Sequence, residues 1–255
     1  MKMLSISSRR GILRGGLLML GISGVAFGLH WNGFTLVEWW RESHSGVVIS
    51  GAQTSEKRIA LTFDDGPDPN YTPRILAILQ QYGVKATFFQ EGQQVSAYPD
   101  IARAVVAQGH VIGNHTFSHP YLNRKSAKEV CQEMADCEHS LETCLHRKSY
   151  LFRPPRGQWN PTIYREARRQ GDHIILWTLA LEHHEVKTPQ AMVNRVLRQI
   201  RPGGILLMHD GARVSREMTV QALPLLLEGL RKRGYQCVTV PELLHIRGDE
   251  VCLAP

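Results

Sequence analysis

Two short segments of the 255-residue chain carry side chains that could bind a metal ion and activate water. Asp64 and Asp65 are adjacent carboxylates before Gly66-Pro67, and His115 and His119 are four residues apart. Of two adjacent carboxylates, one can bind a cation while the other accepts a proton from water. Imidazoles at i and i+4 share one face of a helical turn and can bind the same metal. Taken singly, a turn sequence and a chance histidine pair explain these segments as well.

Two further segments offer an anion-binding turn and an acid. Arg153 is followed by Pro154-Pro155, and consecutive prolines hold the backbone rigid, so that Arg153 and nearby peptide N–H groups can face an anion or an oxyanion. His209 ends an apolar run and could protonate a leaving group. A stiff surface loop and a structural histidine are the ordinary alternatives for these two segments.

The elements that must position these residues are indicated by seven short apolar runs that alternate with amphipathic segments. The runs are typical of strands and extend over Arg58 to Phe63, Lys85 to Phe89, His110 to Gly113, Tyr150 to Arg153, His173 to Trp177, Gly204 to Met208 and Gln236 to Val240. Strands that alternate with helices pair in parallel through right-handed crossovers. We therefore predict an α/β fold, a closed or nearly closed β/α barrel with about seven parallel strands in a single domain. An open doubly wound sheet is the alternative.

Helix boundaries are marked by capping residues. A capping side chain precedes proline at Thr72-Pro73, Asn160-Pro161 and Thr188-Pro189, and Ser126 to Glu129 forms a capping box. Glycines that suit left-handed helix ends follow the amphipathic segments at Gly83, Gly109, Gly171 and Gly234.

All four chemical segments fall at the carboxyl ends of predicted strands, which converge on one rim of a β/α barrel, where such barrels keep their active sites. One site is therefore a simpler explanation than four coincidences. Asp65, His115 and His119 would supply oxygen and nitrogen ligands and leave positions for water and substrate, as in catalytic zinc sites. Asp64 is then the base, and His209 is the acid that protonates a departing amine.

The ordered motifs resemble the polysaccharide deacetylase family, the NodB-homology domain of carbohydrate esterase family 4. Thr-Phe-Asp-Asp-Gly, His-x-x-x-His, Arg-Pro-Pro-x-Gly and Leu-x-x-His follow in this order between about Arg58 and Leu244. The resemblance implies a distorted β/α barrel, a divalent metal, usually zinc, and hydrolysis of N-acetyl groups on N-acetylglucosamine polymers such as peptidoglycan, chitin or poly-N-acetylglucosamine. Removal of another acyl group, or of O-acetyl groups, would use the same residues and stays an alternative.

The resemblance also implies a role for individual residues. Asp64 matches the family's base, His209 its acid and Arg153 the arginine that orients the base, while the metal ligands match Asp65, His115 and His119. Four residues near these motifs are assigned to substrate binding: Pro155, Arg156, Trp177 and Leu207.

Two positions depart from the family pattern. Arg156 stands where the family usually has Tyr or Trp, which removes an aromatic wall beside the sugar but keeps the peptide N–H that would face the oxyanion. Ala180 stands where the family places an Asp that pairs with the motif arginine. Arg153 is then expected to use Glu182 or Glu185, or the base is less well tuned. A catalytically impaired glycan-binding relative is therefore an alternative function.

Positive charge is concentrated near the amino terminus. The formal net charge is +7, and Lys2, Arg9, Arg10 and Arg14 supply four of these charges before residue 29. The remaining 7 − 4 = +3 is too dilute for nucleic-acid binding. The basic segment precedes an apolar stretch over 15–29, a pattern typical of an export signal and similar to a twin-arginine signal. We therefore expect an exported protein of the periplasm, cell envelope or extracellular space, with residues 1–28 as a signal or an uncleaved membrane anchor.

The remaining segments complete the predicted organisation. Residues 29–56 are interpreted as a linker or strap, 57–247 as the catalytic domain and 248–255 as a C-terminal tail. The five cysteines lack C-x-x-C spacing, which argues against a zinc-thiolate site. Cys131, Cys137 and Cys144 share one helical face and are expected to be buried thiols, while Cys237 and Cys252 could form a disulfide.

Overall fold

The structure is a computed structural model that describes residues 48–211 and 213–246 and two short strands nearer the amino terminus. These strands, β1 (His30–Trp31) and β2 (Phe34–Thr35), pair antiparallel. The predicted signal over 1–28, most of the strap, the tail and Cys252 lie outside the described residues, so those interpretations stay predictions. Within the described part of the chain, no helix has the length and apolar character to cross a bilayer.

A parallel sheet of nine strands forms the centre of the domain. The strands are β3 (Val48–Ile49), β4 (Arg58–Asp64), β5 (Thr87–Gln90), β6 (Val111–Asn114), β7 (Leu151–Phe152), β8 (His173–Ile175), β9 (Leu179–Ala180), β10 (Gly204–His209) and β11 (Gln236–Val238). Eight of them follow the order β3-β8-β7-β6-β5-β4-β10-β9, and β11 pairs with β4. The strands curl into a half-barrel, which confirms the distorted β/α barrel. The prediction of seven strands was too low, because β3 and β9 have two residues each and leave no periodic pattern.

Eight helices are described around this sheet. They are α1 (Thr72–Gln81), α2 (Gly92–Ala97), α3 (Pro99–Ala107), α4 (Ala127–Leu145), α5 (Pro161–Gln170), α6 (Pro189–Gln199), α7 (Glu217–Lys232) and α8 (Val240–Leu244). Short 3₁₀ turns lie at Leu122–Arg124 and Pro155–Gly157.

The predicted helix caps are confirmed with one exception. Ser126 forms its capping box with Glu129, and the side chains of Asn160 and Thr188 accept backbone N–H groups of α5 and α6. Thr72 is not the cap of α1, because the helix begins after Tyr71 and the Thr72 hydroxyl instead donates to Oδ2 of Asp210 at 2.6 Å. The four predicted terminal glycines all have left-handed backbone angles.

The two faces of β4 explain how the chain places its chemical residues. Ile59, Leu61 and Phe63 belong to the core cluster that contains residues of α1, α6 and α7. Ala60 belongs to the cluster on the opposite face, with Phe89, Ile205 and Val238. Because side chains alternate along a strand, Thr62 and Asp64 follow Ala60 onto that second face. Hydrophobic packing on the helix side thus directs Asp64 toward the inside of the half-barrel.

The described cysteines are free thiols. Cys137 is buried as expected, whereas Cys131 and Cys144 are only partly buried because they lie at the borders of the apolar face of α4. Cys237 is partly buried in β11.

Candidate metal centre and active site

Asp65, His115 and His119 come together at the carboxyl ends of β4 and β6 and offer three ligand atoms. Nε2 of His115 lies 3.5 Å from Oδ1 of Asp65, and Nε2 of His119 lies 3.4 Å from the same oxygen. All three residues are buried, and one ligand atom from each lies within 4.8 Å of the other two. They are the only group of three or more His, Cys, Asp or Glu in the described ranges that meets this distance. The arrangement brings together the three predicted ligands.

The two histidines do not lie on the helical turn that their spacing suggests. The segment after β6 is a loop in which Thr116 and His119 have left-handed backbone angles. The side chain of Asn114 accepts the N–H of Thr116 at 2.9 Å, and the Thr116 hydroxyl accepts the N–H of His119 at 3.1 Å. These local hydrogen bonds fold the loop so that both rings approach Asp65, with their centroids 5.0 Å apart.

The chemistry of the donor set fits a divalent metal. Nδ1 of His115 lies 2.7 Å from the carbonyl oxygen of Arg153, so this nitrogen donates its proton there and Nε2 keeps a free lone pair. Burial opposes a charge on His115, yet the carboxylates of Asp64 and Asp65 outweigh burial and raise the pKa of its imidazole. Carboxylates that stabilise the positively charged form of the imidazole also stabilise a metal cation bound at the same place. Two imidazoles and one carboxylate are ligands that suit zinc.

Burial and neighbouring charge keep the other two candidate ligands in metal-binding protonation states. Burial and then the nearby His115 lower the pKa of His119 to about 3, so its imidazole is neutral. Burial acts to raise the pKa of Asp65, but its hydrogen bond and charge interaction with His115 outweigh burial and hold it well below its usual range. Asp65 is therefore a carboxylate near neutral pH.

Arg153 fixes the position of the Asp64 carboxylate. The Arg153 side chain is fully buried, and its Nη1 donates to Oδ1 of Asp64 at 2.7 Å and to the Thr62 hydroxyl at 2.8 Å. Its Nε and Nη2 donate to the carbonyl oxygens of Ile175 and Leu176. Oδ2 of Asp64 then lies on the side of His115, 3.8 Å from Nε2. This is the arrangement expected of an arginine that orients a base.

The expected link between Arg153 and Glu182 or Glu185 is wrong. Glu182 faces His209 instead, with Oε2 at 3.4 Å from Nδ1, while its Oε1 accepts the His209 N–H and the Thr219 hydroxyl. The reason is register. Ala180 pairs with Leu207 across β9 and β10, so the residue two positions later lies level with His209. Among the described residues, Glu185 has no contact with Arg153, and its carboxylate is near His183 and His184.

His209 lies beside Asp64 because the two residues are register partners at the ends of β10 and β4. Burial opposes a charge on His209, but Glu182 outweighs burial, with smaller contributions from Asp64 and Asp65, and the pKa of His209 is raised. Burial acts in the same way against Glu182, whose pKa is nevertheless lowered by His209 and by the Thr219 hydroxyl. The pair therefore favours an imidazolium held by a carboxylate.

The predicted substrate-binding residues surround this centre to different degrees. Arg156 is exposed at the 3₁₀ turn, and Pro155 is buried beneath it. Trp177 is half-buried, and its ring packs against Gly157, where an added Cβ would lie 2.6 Å from Cη2. Leu207 is buried in β10, opposite Thr62 of β4. Of the four, Arg156 is the one that is exposed.

Sequence reasoning missed two arginines that contact the candidate metal ligand. Nη2 of Arg216 lies 3.3 Å from Oδ2 of Asp65, and Nε of Arg213 lies 3.9 Å from the same oxygen. Arg213 also bonds the buried Glu91, and both line a cavity of about 250 Å³ beside Asp65. These arginines follow β10 in a stretch with no motif of its own, so nothing in the sequence pattern marks them.

Comparison with known proteins gives a consistent family. The sequence model of the family described as polysaccharide deacetylase matches residues 51–175. A peptidoglycan-N-acetylglucosamine deacetylase of Bacillus cereus is 38% identical over 80% of this chain and 95% of its own length. A chitooligosaccharide deacetylase of Azorhizobium caulinodans is 33% identical over 73% of this chain and 94% of its length. A peptidoglycan-N-acetylmuramic acid deacetylase of Bacillus subtilis is 32% identical over 75% of this chain and 73% of its length.

Solved structures share the fold. A peptidoglycan N-acetylglucosamine deacetylase superimposes with a TM-score of 0.77 at 30% identity, covering 80% of this chain and 95% of that one. A carbohydrate esterase family 4 pseudoenzyme from Bacillus anthracis gives a TM-score of 0.73 at 30% identity, over 80% of this chain and 70% of that one. These likenesses confirm the family that the ordered motifs predict, and with it the enzyme class. The chain therefore belongs to the polysaccharide deacetylase family of hydrolases.

Proposed function

We propose that the protein is a metal-dependent N-deacetylase that removes acetyl groups from N-acetylated amino sugars of a glycan, with zinc as its metal. One observation carries the proposal: three buried ligand atoms of Asp65, His115 and His119 converge beside a second carboxylate, Asp64, that remains available for proton transfer. Relatives named as deacetylases of peptidoglycan and of chitooligosaccharides support the substrate class.

The chain supplies a base, an acid and a rigid frame for this reaction. When bound by Asp65, His115 and His119, the metal would act as a Lewis acid toward the acetyl carbonyl and lower the pKa of water. Asp64 accepts the proton of the attacking water through Oδ2, because Arg153 occupies Oδ1 and fixes the carboxylate plane. In the rigid turn at Pro155–Gly157, the peptide N–H of Arg156 is the one assigned to the charge that develops on the carbonyl oxygen, because Pro155 has no N–H and that of Gly157 donates to the Pro154 carbonyl.

His209 completes the reaction as the acid. Its imidazolium, held by Glu182, donates a proton to the sugar nitrogen as the C–N bond breaks, and this yields a free amine and acetate. The Glu182 carboxylate keeps the imidazole charged near neutral pH and fixes its orientation.

The test is acetate release by the purified chain lacking residues 1–28. The substrates are N-acetylglucosamine oligomers and peptidoglycan, each with chelator, with added zinc, and with the Asp64→Asn variant as a control for contaminating activity. We expect release that chelator abolishes and zinc restores. Release that continues in chelator would exclude the metal-dependent mechanism, and release of a different acid would identify another acyl group.

A second candidate is a glycan-binding member of the family without turnover. It is favoured by the substitution at Ala180 and by the similarity to a pseudoenzyme. The two candidates separate in the same experiment, because a binding protein retains glycan and metal but releases no acetate. The Glu182 contact with His209 supports the enzyme, since it gives the proposed acid a carboxylate partner.

We further propose that the protein is exported, through a signal or membrane anchor in residues 1–28. The basic and then apolar pattern of this segment supports export, and the glycans of the relatives' names include the peptidoglycan of the cell envelope. Fractionation of cells that produce the full chain, compared with a chain in which Arg9 and Arg10 are replaced by Lys, tests both export and the twin-arginine route.

A further inference from the structure

Arg156 lies at the tip of a rigid turn next to the metal centre. It is the middle residue of the turn Pro155–Gly157, with a left-handed φ of 62°. Its Nη1 donates to the carbonyl oxygen of Pro120 at 3.2 Å, and Pro120 directly follows the candidate ligand His119. The guanidinium group thus contacts the residue that follows a candidate metal ligand in the sequence.

The ring of Tyr121 holds this guanidinium together with a second one. Cζ of Arg156 lies 3.9 Å from the ring centroid, and Cζ of Arg124 lies 4.8 Å from it. Tyr121 is 49% exposed, and both arginines are exposed. A guanidinium that stacks on an aromatic ring keeps its N–H edge available, and that edge matches the two oxygens of a carboxylate.

No carboxylate among the described residues neutralises the charge of these two arginines. Along the described ranges, no Asp or Glu oxygen lies within 4 Å of Arg156 or Arg124, whereas Arg153 is paired with Asp64 and Arg213 with Glu91. The partners of Arg156 are a neutral carbonyl group and a ring face. Uncompensated guanidinium groups that are fixed in place beside a reaction centre suit an anionic ligand better than a neutral one.

We propose that Arg156, with Tyr121 and Arg124, forms a subsite for a carboxylate on the glycan, so that the enzyme selects an N-acetylated glycan that bears carboxylates over a neutral one. This inference rests on the proposed deacetylase function and names its substrate class. A bidentate contact of Arg156 with the carboxylate would place the neighbouring N-acetyl group at the metal centre. Among the names of relatives, muramic acid is an amino sugar with a carboxylate, whereas chitooligosaccharides are neutral.

The experiment compares two matched substrates on the same enzyme sample. One is a tetrasaccharide of alternating N-acetylglucosamine and N-acetylmuramic acid without peptide, and the other is the same tetrasaccharide with its carboxyl groups converted to amides. We expect kcat/KM for the acid form to exceed that for the amide form by at least about tenfold, because only the acid form offers Arg156 two charged oxygens for charge-assisted hydrogen bonds. In Arg156→Gln we expect this ratio to fall toward one. The matched control is Arg103→Gln, because Arg103 is an arginine that bonds Asp100 on α3.

The ratio decides the proposal even where a variant folds poorly, since the fraction of active enzyme cancels between the two substrates. A wild-type ratio near one, or an unchanged ratio in Arg156→Gln, would overturn the carboxylate subsite while the deacetylase function stands. A ratio that falls in both Arg156→Gln and Arg103→Gln would also overturn it, because a general charge effect would then be responsible. Absence of acetate release from both substrates would overturn this proposal together with the proposed function.

Discussion

The two aspartates of the site each give one oxygen to an arginine and keep the other for chemistry. Asp64 gives Oδ1 to Arg153, and Asp65 gives Oδ2 to Arg216. The free oxygens, Oδ2 of Asp64 and Oδ1 of Asp65, both face His115. The geometry therefore separates the proposed base from the proposed metal ligand although the residues are adjacent in sequence.

This separation predicts the behaviour of Asp64→Asn. The amide keeps the shape of the side chain but cannot accept a proton, so we expect kcat to fall by at least about 100-fold, the usual contribution of a general base. Metal affinity should change little, because Asp64 is outside the ligand set. Metal content by atomic spectroscopy and acetate release check the two effects on the same sample.

The matched variant is His119→Ala, which removes a candidate ligand. Loss of a hydrogen-bond partner behind a ligand costs about 10–100-fold in metal affinity, and loss of the ligand itself should cost more. Should Asp64→Asn lose its metal and His119→Ala retain it, the assignment of base and ligands would be wrong.

Glu182→Gln tests the partner of the acid through its pH profile. As the proposed acid, His209 acts in its protonated form, so activity should fall as the pH rises through its pKa. Because Glu182 raises that pKa, the neutral amide lowers it, and we expect the basic limb of kcat/KM to move down by about 1–3 pH units. The loss of activity should therefore be larger at pH 8 than at pH 6.

Glu185→Gln is the control for this variant, since Glu185 is exposed in the same loop and has no contact with His209 in the described structure. A Glu182→Gln enzyme with an unmoved basic limb would show that Glu182 has only a structural role. The Gln side chain still accepts the Thr219 hydroxyl and the His209 N–H, so the loop should keep its conformation.

At the scale of elements, the capping box of α4 is a separable contribution to stability. Ser126 accepts the N–H of Glu129, and Glu129 accepts the N–H and hydroxyl of Ser126. Ser126→Ala should lower the free energy of unfolding by about 1 kcal/mol and the melting temperature by about 2–4 °C. Lys128→Ala, an exposed residue of the same turn, is the control and should leave the melting temperature within about 1 °C. Equal changes in both variants would argue against the cap.

The helices, strands and site residues could be predicted where the sequence pattern that marks them involves only residues close by in the chain. The seven apolar runs, the caps at Asn160 and Thr188 and the terminal glycines depend on neighbours a few residues away, and the structure confirms them. Thr72 was misassigned because its hydroxyl bonds Asp210, which is distant in sequence. The helical turn proposed for His115 and His119 failed because the Asn114 and Thr116 side chains hold a loop instead.

The partners of the site residues could not be predicted because they depend on register across the sheet. Glu182 is 27 residues from His209 and meets it only because β9 pairs with β10. Arg216 reaches Asp65 over a separation of 151 residues. A motif shows which residues react, whereas their supporting contacts come from topology.

At the scale of the whole molecule, one buried acid should shape the pH dependence of stability. Asp172 is 7% exposed, and burial, followed by the charges of Glu138 and Glu166, raises its pKa to about 8 despite nearby Lys148. The folded state therefore holds a proton that the unfolded state releases above about pH 4. The contribution of Asp172 to stability is present at low pH and is lost as the pH rises toward 8.

Asp172→Asn removes this ionisation while preserving the shape of the side chain. We expect the variant to melt at a higher temperature than the wild type at pH 8, with a difference that shrinks as the pH falls toward 5. Thermal unfolding over this pH range measures the effect, and Asp136→Asn at a partly exposed position of α4 is the control. A difference that stays constant with pH would show that ionisation of Asp172 is not its cause.

The position of Glu182 affects how active members of this family are distinguished from inactive ones. A sequence comparison restricted to position 180 would find alanine there and would suggest that this chain is an inactive member of the family. In the structure, however, Arg153 has Asp64, the Thr62 hydroxyl and two carbonyl groups as partners, and His209 has the carboxylate of Glu182, two residues beyond Ala180. Both charged groups therefore have partners in this chain although position 180 supplies none. The assignment of a chain as inactive therefore needs to consider the sheet register as well as the residue at one aligned position.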